Sequence, residues 1–264
     1  MTLPLFHLRR LRNLSGIENH MYIQTERLLL RPLNLQDAPA IQKHFPHWEI
    51  VQHLSAKTVK WPYPPDGAQK FLQNIALPAM ARGDDWYFGI TLKGDAAGEV
   101  IGVVHLRRDT AAGNRGVWLA SGFQGKGYMQ EAVGAVNDLA FGTLGFDKMV
   151  IKNAADNEAS RRLKQKTAAR HVATVPASHY IGGSPAQEIW ELTAADWRAF
   201  RTAQEALARY CRPQAAPAAL WTRRSATVQA FGHAAGKRGS RKLRGMPCRP
   251  CAVTALRPLR FAAG

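Results

Sequence analysis

At 264 residues the chain is long enough for one large or two small domains with a sizeable core. Its 46% hydrophobic and 21% charged residues fit a soluble globular protein, and no apolar run approaches the ~20 residues a membrane helix needs, which excludes a transmembrane span. The three cysteines, Cys211, Cys248 and Cys251, all follow residue 210, so no disulfide can staple the first 210 residues, and the folded part is expected to suit a reducing cytoplasm. The net charge of +17 is unevenly spread: residues 205–264 hold twelve of the 36 Lys and Arg and one acid, Glu205, so most of the basicity belongs to the C-terminal segment.

Residues 1–20 contain the basic Arg9-Arg10-Leu11-Arg12 cluster but no long apolar stretch followed by a cleavage site, so a flexible extension is expected rather than a signal peptide. Met21, a candidate true start, stands directly before the first convincing strand. Ile23 to Leu30 reads as that strand, closed by Arg31-Pro32. Asn34 to Asp37 offers helix-start residues before Ala38, Ile41 and Phe45, which share one helical face. The Pro-rich run from Trp61 to Gly67 predicts a stiff loop, with Asp66 capping a second helix to about Arg82. Strands are then expected at Trp86–Leu92, Val100–Leu106 and Gly116–Ala120, joined by turn-rich segments as an antiparallel meander. A helix follows from Glu131 to Phe141, then a strand from Lys148 to Lys152 and a helix from Glu158 to Thr167. A final strand pair lies near His171–Val175 and Glu188–Thr193. This order argues one mixed α+β domain over residues 21–204.

Beyond that domain the pattern dissolves. Ala, Arg, Gly and Pro make up 34 of residues 206–264, which leaves no periodic apolar face to offset the entropy of ordering. After a short helix near Thr202–Tyr210, the segment 205–264 is expected to be disordered; a shifted reading frame in GC-rich DNA would give a similar composition.

The stretch from Val117 to Ala132 carries the most chemistry. It sets a strand, a Gly-rich loop and a helix in succession, and the unpaired N–H groups at a helix start make such a loop a site for phosphate oxygens. Gly125 and Gly127 permit close backbone approach, and Lys126 adds charge. A plain tight connection is the competing reading. The spacing fits neither a Walker loop nor a dinucleotide turn.

Gln124-Gly125-Lys126-Gly127-Tyr128-Met129 resembles the [RQ]-x-x-G-x-[GA] acyl-CoA loop of the GNAT N-acetyltransferases, departing only at Met129, where the family has Gly or Ala. Three further segments agree. Thr25 to Pro32 is similar to the opening strand of the branch that includes ribosomal-protein N-terminal (alanine/serine) acetyltransferases, Asn157-Glu158-Ala159-Ser160 to its N-x-x-S segment, and Trp190 to Trp197 to a frequent ending. The likeness covers about Met21 to Arg201. It implies a mostly antiparallel twisted sheet with a central splay and helices on both faces, and an acetyl-CoA-dependent enzyme without a metal. The cofactor would lie along Val117, Trp118 and Leu119, with the Leu119 amide polarising the thioester oxygen. Its diphosphate would lie on the amides of Gln124, Gly125, Lys126, Gly127, Tyr128, Met129 and Gln130, the Met129 side chain turning away, and Asn157 would touch the pantetheine arm. Ser160 matches the position that faces the sulfur, a hydroxyl bonded back to its own helix being the alternative. Relatives end that helix with Gly, so Ala169 is expected in a left-handed cap, or the end is built differently.

The general base is less defined. The acid that many relatives carry before the splayed strand is replaced by Asn114-Arg115-Gly116, which leaves His105 and His179 as titratable candidates, each with a solvated or hydrogen-bonded histidine as the competing reading. Glu131, in the first turn of its helix, suits the dipole there. Trp48, Trp61 and Tyr63 are candidates to wall the acceptor pocket, or equally to cover the core. The resemblance thus implies acetyl transfer to a primary amine, a protein N-terminus or a small molecule, in a ternary complex; an acyl-CoA-binding relative without activity is the alternative. A monomer or homodimer is expected. A nucleic-acid partner would act only through Lys237–Arg244, and Cys248-Arg249-Pro250-Cys251 lacks the second ligand pair of a zinc site.

Overall fold

The computed structural model describes residues 9–10, 21–111 and 113–210. The chain runs β1 (Arg9–Arg10), β2 (Met21–Gln24), β3 (Leu28–Pro32), α1 (Ala38–His44), α2 (Trp48–Val51), α3 (Gly67–Phe71), α4 (Leu77–Arg82), β4 (Asp85–Leu92), β5 (Gly102–Arg107), β6 (Arg115–Leu119), α5 (Tyr128–Asp138), β7 (Lys148–Ala154), α6 (Glu158–Gln165), β8 (Arg170–Pro176), β9 (Ala186–Thr193) and α7 (Ala194–Tyr210). The first six strands form an antiparallel meander in chain order, and the last three a second antiparallel sheet ordered β7-β9-β8. Residues 1–8, 11–20 and 211–264 lie outside the described residues, and with them the basic run Lys237–Arg244 and all three cysteines. No described helix is long and apolar enough to cross a membrane.

Side chains alternate along the meander strands between two layers, both of them buried. Leu28 and Leu30 of β3, Phe88 and Ile90 of β4, and Val104 and Leu106 of β5 enter a core shared with Val133 and Val136 of α5 and Trp197 of α7. Their neighbours Tyr87 and Val103 face the opposite layer, where Ile41, Phe45, Val51, Leu72 and Ala76 of the helical segment 38–82 pack. Each fully buried Leu, Ile or Phe contributes about 1.5–3 kcal/mol, so both faces of the sheet are covered for a physical reason.

Local chemistry explains the connections. Asn34 accepts from the Gln36 amide, while the Asp37 carboxylate accepts from the Asn34 amide and twice from Arg31, so strand end and helix start are tied together. Asp66 stands at the start of α3 but does not cap it, because its carboxylate pairs with Lys70 at 2.7 Å. A single π turn, Leu72–Ala76, joins α3 to α4, and another, Leu139–Thr143, extends α5. The last helix is one element through Tyr210, so it passes the boundary at residue 204. Asp138 of α5 fastens it, accepting from Trp197 Nε1 and Arg201 Nη2, each at 2.9 Å.

Candidate active site

The two sheets share the main core, and the strands β6 and β7 are bridged at Asn114. The Asn114 amide donates to Val150 O at 2.7 Å, the Val150 amide to Asn114 Oδ1 at 2.6 Å, and beyond this β6 and β7 share no ladder. Arg115, the first residue of β6, is buried and donates to Asn137 Oδ1 of α5 at 2.8 Å. Burial lowers its guanidinium to about 10. Asn114 O accepts from the Arg107 amide and the Ala120 amide donates to Ile101 O, so by alternation the backbone groups of Val117 and Leu119 point away from β5, into the opening. Gln124 Nε2 donates to Leu119 O at 2.9 Å, joining the loop to this strand.

The loop itself needs glycine: Gly125 and Gly127 have φ of +75° and +81°. The first bond within α5 runs from the Glu131 amide to Gly127 O, and the amides of residues 125–130 find no acceptor among the described residues. Glu131 and the opening Thr25-Glu26-Arg27 segment brace this turn from behind. The Glu131 carboxylate accepts from Thr25 Oγ1 at 2.5 Å, the Arg27 amide at 2.8 Å and Arg27 Nε at 2.7 Å; Arg27 Nη1 reaches Lys126 O, and its guanidinium lies 4.6 Å from the Tyr128 ring centroid. Burial pushes Glu131 upward, but these three bonds outweigh it and hold the carboxyl below its ordinary range. Lys126 is turned back onto Gly122 O, so the amides rather than this ammonium face outward.

Between the loop, β6 and α6 lies a cleft of about 690 Å³. Val117, Trp118, Leu119, Gln124, Gly125, Gly127, Tyr128, Met129 and Gln130 line one side, and Asn157 and Ser160 the other. Lys126 is not among the lining residues. Met129 borders the cleft and also packs against the main core. Asn157 caps α6 by accepting from the Ser160 amide at 2.9 Å. Ser160 Oγ makes no bond to a backbone carbonyl of its helix; it accepts from the Nζ of Lys164, one turn further along the same helix, at 2.6 Å.

The two histidines singled out from sequence do not line the cleft. His105 projects to the α1–α4 side of the sheet, stacked on Tyr87 with centroids 3.7 Å apart, its Nδ1 accepting from Arg107 Nη2. Burial, followed by the Arg107 charge, lowers it to about 3 although Asp85 lies 3.3 Å away, so it is neutral and out of reach. His179 lies against Tyr180 and Gln187 beside the bridge that pairs Ser55 with Tyr180. The aromatic trio is displaced as well. Trp48 and Trp61 tilt against each other at 5.8 Å, 46% and 42% exposed, and Tyr63 packs on Phe45, its phenol raised to about 12 by burial.

Other side chains border the cleft. Glu49, Ile50, His53 and Leu54, from α2 and the turn after it, wall the cleft opposite β6, and His53 Nδ1 lies 3.4 Å from Asp156 Oδ1, next to the Asn157 cap. Arg162 of α6 and Lys166, just past its end, add cations to the cleft lining; Lys166 also borders a smaller cavity of about 360 Å³ with Gly127 and Gln130. Neither the turn that carries His53 past the end of α2 nor its approach to residue 156 leaves a signal in the sequence. The left-handed residue after α6 is Ala168, φ +63°, rather than Ala169: the Ala169 amide must reach back to Lys164 O at 3.0 Å, which sets the turn one residue earlier. No group of three or more His, Cys, Asp or Glu that could hold a metal occurs among the described residues.

Among solved structures, the chain is similar to ribosomal-protein-S5-alanine acetyltransferase from Vibrio fischeri (18% identity, TM-score 0.56, 67% of this chain and 98% of that one). It is also similar to Mycobacterium smegmatis RimJ in complex with CoA-disulfide (16%, 0.56, 67% and 89%) and to the microcin C7 self-immunity acetyltransferase MccE in complex with acetyl-CoA and AMP (20%, 0.52, 64% and 93%). No curated protein sequence matches it. The sequence family described as the acetyltransferase (GNAT) domain matches residues 27–170, a span that begins at the arginine bracing the Gly-rich turn and ends just past α6, and with more than half of its length inside that match the chain belongs to the GNAT acetyltransferase family.

Proposed function

We propose that this acetyltransferase moves the acetyl group of acetyl-CoA to a primary amine, at a protein N-terminus or on a small molecule, by direct attack in a ternary complex. The observation that carries this is the pairing of unsatisfied amides at residues 125–130 with an open β6 edge beside them. Such amides suit a diphosphate, with Arg162 and Lys166 supplying countercharge. The edge left open at Val117 and at the Leu119 N–H suits the amide-bearing arm, which would pair as a strand does.

Leu119 N–H, preorganised toward the opening, stabilises the charge that develops on the thioester oxygen. His53 takes the proton of the incoming amine, with Asp156 orienting its ring and stabilising the imidazolium. Glu49, which borders the same cleft as His53, favours a cationic acceptor before that proton leaves. Ser160 faces the departing sulfur. Holding both reactants in one cleft supplies much of the acceleration.

The test is calorimetry with acetyl-CoA, followed by free-thiol release across a panel of amines and N-terminal peptides. Saturable binding and thiol release on at least one acceptor are expected, with His53→Gln lowering kcat about 100-fold and leaving acetyl-CoA affinity intact. Binding without release on any acceptor would instead mark an inactive acyl-CoA-binding relative.

A further inference from the structure

Lys164 is the fully buried cation that the chemistry above leaves unused. It lies on α6 at 2% exposure, one turn after Ser160, and its ammonium makes a 2.6 Å bond to Ser160 Oγ and a 3.5 Å contact with Ser160 O. A lysine on an apolar-facing helical position is costly unless its charge is used or neutralised. Around it stand Arg115 from β6, which repels it, and Glu188 from β9, which attracts it. Glu188 is already committed to Asn153, Arg161 and Trp190. Ser160 is therefore the one residue that the Lys164 ammonium is bonded to among the described residues, and Ser160 lines the cleft.

Resting on the acetyl-transfer reading, we infer that Lys164 is a positioning residue acting through Ser160: its ammonium occupies a lone pair of Oγ, leaves the hydroxyl proton for the cleft, and replaces that proton once it has gone to the departing thiolate. In this step the Ser160 O–H bond breaks as the S–H bond of the free thiol forms. A Lys164 N–H bond breaks as a new O–H bond forms on Ser160, and the neutral amine regains its proton from solvent after release. Burial, then the Arg115 charge, lowers Lys164 to about 7 against the opposing pull of Glu188, which suits a group that gives up a proton near neutrality.

The experiment compares the full-length wild type with Lys164→Met, Lys164→Arg and Ser160→Ala, using thermal melts, acetyl-CoA calorimetry and kcat for thiol release from pH 6 to about 10 with an acceptor from the panel. Wild-type kcat should fall on the alkaline side as the ammonium is lost. Lys164→Met and Ser160→Ala should lie about 10- to 100-fold lower, without that alkaline limb and with acetyl-CoA affinity within about twofold of wild type. Lys164→Arg, which keeps the charge but cannot release a proton, should stay low. An unchanged alkaline limb in Lys164→Met, or full recovery in Lys164→Arg, overturns the inference while acetyl transfer stands; a wild type that releases no thiol overturns both.

Discussion

Replacing Gly102 with alanine should disturb the strand edge on which the cleft depends. Gly102 lies opposite Leu119 in the β5–β6 ladder, and a methyl carbon there would sit 2.6 Å from Trp118 O, 2.8 Å from Leu119 Cδ1 and 3.2 Å from Leu119 Cα. A relaxed carbon–oxygen contact needs about 3.3 Å, so the two strands must part by roughly 0.7 Å. The nearest atom is backbone, which cannot rotate away as a side chain would. Over-packing of this kind costs about 1–3 kcal/mol, or a fall in Tm of about 4–8 °C at 2 kcal/mol for a domain this size. The displacement falls on Trp118 and Leu119, so acetyl-CoA affinity should drop by about tenfold, the equivalent of 1.4 kcal/mol. Gly134→Ala is the control: nothing lies within 4 Å of a methyl group there, and within α5 it should stabilise by up to about 1 kcal/mol. Thermal melts and calorimetry on both variants decide the matter. A Gly102→Ala protein that melts with the wild type and binds acetyl-CoA as tightly would refute the assignment of β6 as a strand held in place for its free edge.

Other perturbations follow from single residues. Ala168→Gly should stabilise by about 0.5 kcal/mol, because it relieves left-handed strain of about 1 kcal/mol and returns part of that as unfolded-state entropy; urea melts check this, and a loss of stability would contradict it. His105 is lowered to about 3 in the folded chain, so the unfolded chain binds its proton first. Its contribution is complete above about pH 6.5 and is lost as pH falls toward 3, and His105→Gln should flatten the acid side of the stability profile by about 1–2 kcal/mol between pH 6.5 and 5. Glu131 is held below the ordinary carboxylate range, so its stabilisation is present above about pH 4.5 and disappears on further acidification. Glu131→Gln should remove that acid dependence and weaken acetyl-CoA binding several-fold by loosening the turn that Arg27 braces, as calorimetry would show.

Much of the α+β arrangement was legible because it rests on local rules. Short apolar runs between turn-rich segments marked β4, β5 and β6, and the Gly-x-Gly spacing marked a turn that only residues tolerant of positive φ can make. The Thr25–Arg27 segment was legible as a motif but not as a brace, since its partner Glu131 lies more than a hundred residues away. His53 escaped notice for a related reason. It follows a four-residue helix too short to announce a face, and it gains meaning only when β7 delivers Asp156 to the same wall. His105 misled because alternation along β5 fixes only which side chains share a face. Whether that face is the open side or the one covered by α1–α4 is decided by tertiary packing. Lys164 reads as one more cation in a basic helix until its burial is known.

The central claim is that a diphosphate-bearing thioester sits on the amides of residues 125–130 beside an open β6. Amide NMR spectra of the labelled full-length chain, recorded as acetyl-CoA is added, test it directly. Saturable shifts concentrated at Gly125, Gly127, Tyr128, Met129 and Gln130, with Val117 and Leu119 following, are the expected result. Shifts confined to other surfaces, or none at saturating acetyl-CoA, would contradict it.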